Sequence, residues 1–112
     1  MSVSQALANM VKDGLVAKTF SSGSKGFHTT GKITVDGVRY QAQAQAVLIG
    51  SKADPKVKVQ AKRDEAVSAL ATFTDGLTPK MFSTGRTGFY ATGKVEIGGQ
   101  RYQAQAQAVR LD

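Results

Sequence analysis

The chain has 112 residues and a mass of 11.8 kDa, enough for one domain and too few for separate cofactor and substrate domains. Its 15 Lys and Arg against 8 Asp and Glu give a net charge of +7, which biases a small protein toward polyanions, nucleic acid ahead of an anionic membrane surface. The absence of Cys excludes disulfide scaffolds, Cys-based zinc sites and thiol nucleophiles; the single histidine, His28, argues against a His-cluster metal site; and no apolar run approaches the ~18 residues of a transmembrane helix.

The first predicted element is a helix. Val3, Leu7, Met10 and Val11 recur at helical spacing, Ser2 with Gln5 forms a capping box, and Gly14 is placed as a left-handed C-terminal stop. The N-terminal segment lacks the basic start and continuous apolar stretch of a signal peptide, so a soluble, cytoplasmic and nucleoid-associated (or host-cytoplasmic) protein is expected. A short strand at about 17–22 carries Phe20. The Gly-rich SSGSKG (21–26) follows, then a longer strand over about 26–35. Asp36-Gly37 is a two-residue hairpin signal, because both positions need positive φ. A long strand follows over about 38–49. The segment 51–62 is a basic connector in which Pro55 marks a break and Val57–Gln60 alternates like an edge strand.

The second half repeats the first. Residues 80–109 match residues 18–47 at an offset of 62 with no gap, and 19 of the 30 positions are identical. Asp64 is the expected cap of a second helix with Val67, Leu70 and Phe73 on one face, ended by Gly76 and followed by Pro79. STGRTG (83–88) replaces SSGSKG, Gly98-Gly99 replaces Asp36-Gly37, and the last strand spans about 100–111. The expected fold is α+β: one domain of two helix–β–β–β units, about 1–50 and 63–112, forming a pseudo-two-fold antiparallel sheet or barrel with the helices packed on it.

The tight turns fix the register and the register fixes the faces. Val35 pairs with Val38 and Lys32 with Gln41, and Glu96 falls opposite Arg101 as a cross-strand ion pair. One face collects Phe27, Ile33, Tyr40, Ala42, Ala44 and Ala46, and in the second unit Phe89, Tyr102, Ala104, Ala106 and Ala108. Alanine is a poor strand former, and a row of it leaves room for a helix to approach; this is the core face. The opposite face collects His28, Lys32, Arg39, Gln41, Gln43 and Gln45, and in the second unit Tyr90, Lys94, Arg101, Gln103, Gln105 and Gln107.

That polar face carries the functional argument. Gln offers a donor and an acceptor on a neutral side chain and can address base edges and sugars, while Lys and Arg take phosphates. Lys18 and Lys80 add charge, Lys25 and Arg86 place a cation in each Gly-rich loop, and Phe20, Phe82, His28 and Tyr90 are the stacking candidates. The alternatives are Gln rows that face water or meet at a contact between two sheets, and glycines present only for a turn or bulge.

No Walker A spacing, nucleophile elbow or carboxylate pair on a shared face is present, so neither an enzyme nor a cofactor is expected. No helix-turn-helix, zinc finger or basic zipper appears, which favours strand-borne contact with single strands. The hairpins GKITVDGVRYQAQ (31–43) and GKVEIGGQRYQAQ (93–105), with their basic and aromatic strands, resemble those of the whirly-type and coactivator-type single-stranded DNA-binding folds. The resemblance implies nucleic acid lying across the strands, with Lys32, Arg39, Lys94 and Arg101 on phosphates and the Gln rows along the bases.

The expected function is largely sequence-independent binding of single-stranded DNA, with RNA binding as a chaperone as one alternative. A protein-assembly module pairing through its QAQAQAV strands is the other. Because those strands are long and low in charge, an exposed one would be an open edge, and at least a dimer is expected; no membrane partner is.

Overall fold

The computed structural model describes residues 2–51 and 56–111. The elements run α1 (Val3–Gly14), β1 (Val16–Thr19), β2 (Lys25–Val35), β3 (Val38–Leu48), α2 (Arg63–Phe73), a 3-10 turn (Thr74–Gly76), β4 (Thr78–Met81), β5 (Thr87–Ile97) and β6 (Gln100–Arg110). All six strands join one antiparallel sheet in the order β1-β2-β3-β6-β5-β4. The sheet is open, not the alternative barrel. No helix among the described residues is long and apolar enough to cross a membrane. The break expected at Pro55 lies outside the described residues.

The hairpin register agrees with expectation: Val35 faces Val38, Lys32 faces Gln41 and Glu96 faces Arg101. Asp36 and Gly37 both take positive φ, as do Gly98 and Gly99, so the right-handed twist of the flanking strands is matched at each turn. The long strands β3 and β6 are not exposed edges. They pair with each other at the centre of the sheet, with Ala44 opposite Ala106, Ala42 opposite Ala108 and Ala46 opposite Ala104. The outer strands are the four-residue β1 and β4, and Pro79, which follows the helical end at Gly76 as expected, sits within β4, where an edge strand tolerates it.

The alanine face is the core. Ala42, Ala44, Ala46, Ala104, Ala106 and Ala108 are fully buried beneath Leu7, Val11, Leu15 and Leu70. Small residues set the helix distance: the Met10 sulfur and the Phe73 ring each lie 3.5 Å from where a Cβ would stand on Gly31 and Gly93. Phe27 and Tyr102 are buried with ring centroids 6.4 Å apart, while Tyr40 and Phe89, 6.1 Å apart, are half-buried. Burial pushes the Tyr102 phenol above its ordinary pKa; its hydroxyl donates to Gln100 Oε1 at 2.9 Å.

The helices run antiparallel and close each other's ends. The Ser2–Gln5 capping box forms as expected. Gly14 does not turn left-handed: α1 ends because Leu15 is extended (φ −65, ψ 128), and Arg63 of α2 caps it, donating from Nε to the Leu15 carbonyl and from Nη2 to the Lys12 carbonyl, both at 2.8 Å. At the other end the Ser4 hydroxyl donates to the Thr74 carbonyl at 2.9 Å. Asp64 is not the cap of α2; Lys62 holds the N-cap position just before it, and its N–H donates to Glu65 Oε1 at 2.9 Å. Asp64 and Glu65 still occupy the first turn, where negative charge suits the helix dipole. Gly76 ends the 3-10 turn, not α2, and without a positive φ.

Val57–Gln60 is not a strand. Its alternation is real, with Val57 and Val59 packed on the core, but side chains satisfy its backbone: Lys25 Nζ donates to the Val57 carbonyl at 2.7 Å, Gln100 Nε2 to the Lys58 carbonyl at 3.0 Å, and the Gln60 N–H donates to Gln100 Oε1 at 2.8 Å. The expected strand at 17–22 stops at Thr19 because Phe20–Ser24 closes a tight turn, with Phe20 N–H donating to Ser24 O at 2.7 Å and Gly23 N–H to Phe20 O at 2.9 Å.

Two kinds of glycine follow from these turns. Gly23 and Gly85 take φ of 91 and 87, which L side chains rarely adopt. Gly26 and Gly88 press on backbone: an added Cβ would stand 1.9 Å from the Ala46 carbonyl oxygen and 2.0 Å from that of Ala108. Gly26→Ala and Gly88→Ala are therefore each expected to lower stability by about 1–3 kcal/mol in urea denaturation. Gly76→Ala, with nothing near its Cβ, is expected to stay within about 0.5 kcal/mol of the parent.

Candidate nucleic-acid interface

The face opposite the helices is built by the same alternation that buries alanine. Pairing brings Gln43 opposite Gln107 and Gln45 opposite Gln105 at the centre of the sheet, flanked by Gln41 opposite Val109 and Gln103 opposite Val47. The glutamines face outward on one continuous sheet, not a contact between two sheets. Gln43 Nε2 donates to Gln45 Oε1 at 3.3 Å and Gln105 Nε2 to Gln107 Oε1 at 3.4 Å. Gln41 Nε2 donates to Thr30 Oγ1 and the Gly31 carbonyl, and Gln103 Nε2 does the same to Thr92 and Gly93, which turns the Oε1 of each into an oriented acceptor. The centre of the face can thus both donate to and accept from a ligand.

An aromatic and a lysine cluster stands toward each side. Phe20 meets His28 edge to face at 6.2 Å, with Lys18 Nζ 5.3 Å from the Phe20 ring centre. Phe82 meets Tyr90 edge to face at 6.4 Å, with Lys80 Nζ 5.3 Å from Phe82 and 4.0 Å from Tyr90. Cations over ring faces hold the rings in place. Lys32 and Arg39 on the first hairpin and Lys94 and Arg101 on the second occupy the same face by register.

The glutamine face carries a strong excess of positive charge. Lys18, Lys32, Arg39, Lys80, Lys94 and Arg101 lie on the glutamine face, and of the six acidic residues among the described residues only Glu96 joins them. Asp13, Asp64, Glu65 and Asp75 belong to the helices and the 3-10 turn on the other side, and Asp36 sits at a hairpin tip.

Two sequence-predicted residues stand differently from the rest. Lys25 shares the register side of Phe27, and its ammonium reaches the Val57 carbonyl on the helix side; it does not join the glutamine face. Arg86 stands beside the C-terminal end of β6, where Nη1 donates to the carbonyls of Arg110 and Leu111 at 3.1 and 3.0 Å. The Gly-rich loops are tight turns, which accounts for their glycines without a ligand.

Beside the second loop lies a groove of about 460 Å³, lined by Gln41, Phe82, Ser83, Thr84, Arg86 and Gln107 together with Val109 and Leu111. Val109 and Val47 are face residues that the Gln pattern did not single out, although the alternation of QAQAQAV continued to them puts both on the polar side. Ser83 and Thr84 are exposed at the tip of the turn. Among the described residues, no group of three or more His, Asp or Glu is placed to hold a metal. No family model, curated protein or solved structure was found to match the chain.

His28 is half-buried, and burial first, then the charge of Lys18, holds its pKa below the ordinary 6.5. The unfolded chain therefore takes up a proton before the folded one does. The stability His28 contributes is complete above about pH 6.5 and is lost as pH falls through the folded pKa. A histidine NMR titration is expected to give a midpoint below 6.5, and Lys18→Gln is expected to raise it; an unchanged midpoint in Lys18→Gln would remove the lysine from the account.

Proposed function

We propose that the glutamine face binds single-stranded nucleic acid, DNA in the first instance, without strong sequence preference and without catalysis. The observation that carries this reading is the cation excess on one face: among the described residues, six cations and one carboxylate share it with two aromatic clusters and a central field of Gln amides. Cations track the phosphates, rings stack on exposed bases, and neutral amides accept any base edge. The strand-borne arrangement suits the whirly-type resemblance, with the nucleic acid running across the strands.

The chain is further read as two helix–β–β–β copies about a pseudo-two-fold axis through the Ala44–Ala106 pair. Those residues face each other and are 62 apart in sequence, the offset of the repeat. A single strand crossing the face then meets the same order of groups from either side: aromatic cluster, Gln rows, aromatic cluster.

The rival reading, an assembly module pairing through QAQAQAV, is weakened because β3 and β6 have neighbours on both sides. Edge pairing through them is closed in this fold; the edges are the four-residue β1 and β4 and, beyond their reach, residues 29–35 of β2 and 91–97 of β5.

Fluorescence anisotropy of a labelled single strand over a salt series tests the proposal. Each neutralised phosphate contributes roughly 0.7 to the log–log slope, so full use of the face gives a slope of about −4. Arg101→Ala or Lys32→Ala is expected to reduce its magnitude by about 0.7, while Lys12→Ala on α1 leaves it unchanged. A slope near zero, or equal losses from Lys12→Ala and Arg101→Ala, overturns the assignment of the face.

A further inference from the structure

Resting on the nucleic-acid reading, we propose that the groove beside Phe82 is a nucleobase subsite, and that it is the stronger of two unequal subsites on the face. Its volume of about 460 Å³ falls within the range of small-ligand clefts, roughly 300–1,000 Å³. One wall is the Phe82 ring. Lys80 and the Tyr90 contact steady that ring, and the groove opens beside it. The opposite wall is amide: Gln107 Oε1 already accepts from Gln105, which leaves the Gln107 amide nitrogen as donor, while Gln41 presents an oriented acceptor. A base stacked on Phe82 therefore meets one donor and one acceptor at its edge, with Val109 supplying apolar contact.

The phosphate side is Arg86. Its Nη1 is committed to the carbonyls of Arg110 and Leu111, which fixes the guanidinium at the rim. Its three other N–H donors have no partner among the described residues. A guanidinium pinned at one nitrogen loses little freedom on binding phosphate, and the neighbouring Ser83 and Thr84 hydroxyls add donors.

The corresponding place in the first half is poorer. At the repeat offset, Phe20, Ser21 and Ser22 replace Phe82, Ser83 and Thr84, but Ser24 stands where Arg86 does. The cation one residue on, Lys25, is turned to the helix side on the Val57 carbonyl. The first half thus keeps the ring and the amides of Gln45 and Gln103 but has no guanidinium at that rim.

The experiment uses the full chain and a thymidine oligonucleotide carrying 2-aminopurine, whose fluorescence falls when the base stacks on an aromatic ring. The parent is expected to bind and quench it. Base–aromatic stacking is worth about 1–3 kcal/mol, so Phe82→Ala is expected to weaken binding about 5- to 150-fold and to abolish most of the quench. Phe20→Ala is expected to keep most of it. Arg86→Gln is expected to weaken binding with the quench retained at saturation, and Ser24→Arg to tighten it. Phe82→Leu and Arg86→Lys, with circular dichroism of each variant, guard against a folding defect at the turn. If the parent binds with a steep salt slope but Phe82→Ala and Phe20→Ala behave alike, the subsite is wrong and the general reading stands. If the parent does not bind at low salt, both fall.

Discussion

The pairing of β3 with β6 governs everything else in this structure. With Ala44 opposite Ala106, both Ala-rich rows are superposed on one side of a single six-stranded sheet, and both Gln rows on the other. Shifting the pairing by one residue would mix alanine with glutamine on each face and leave neither a dry bed for the helices nor a polar field. Because the centre of the buried side is made of alanine methyl groups, the helices lie close there; Leu7, Val11 and Leu70 come from the helices, and the strands add Phe27, Leu48, Ile97 and Tyr102 around them.

The same seam produces the electrostatics. Residues paired across the hairpins share a face, so Lys32, Arg39, Lys94 and Arg101 fall in line with the glutamines, whereas Asp13, Asp36, Asp64, Glu65 and Asp75 sit on helices and turns. Glu65 on the Lys62 N–H is one instance: it satisfies a helix terminus and takes a negative charge away from the polar face. The helical side mixes acids with cations such as Lys12 and Arg63, whereas the glutamine face carries six cations and, among the described residues, Glu96 as its one carboxylate.

Much of this was legible in the sequence where local rules act alone. Asp36-Gly37 and Gly98-Gly99 demanded positive φ, and from them the register and both faces followed. What failed depended on long-range contacts. Gly14 reads as a left-handed stop, but Arg63, 49 positions away, caps that helix, and Gly14 instead lies close to strand β2, its Cβ position 3.0 Å from Thr29 Oγ1. The alternation in Val57–Gln60 reads as a strand, but Lys25 and Gln100 side chains take its hydrogen bonds. That the two long strands meet at the centre is a fact of assembly between the halves, and no local signal in either half encodes it. The candidate site divides in the same way: the Gln, Lys and aromatic positions came from alternation, whereas the groove required the Phe82–Arg86 turn to be set beside Gln107 and Leu111.

The most direct measurement is amide chemical-shift mapping of the isotope-labelled protein titrated with a single-stranded oligonucleotide. The account predicts that the side-chain amides of Gln43, Gln45, Gln105 and Gln107 move together with the backbone of Phe20, His28, Phe82 and Tyr90, while α1 and α2 stay still. Shifts concentrated on the helices, or none at concentrations where anisotropy reports binding, would contradict the assignment of the glutamine face as the binding surface.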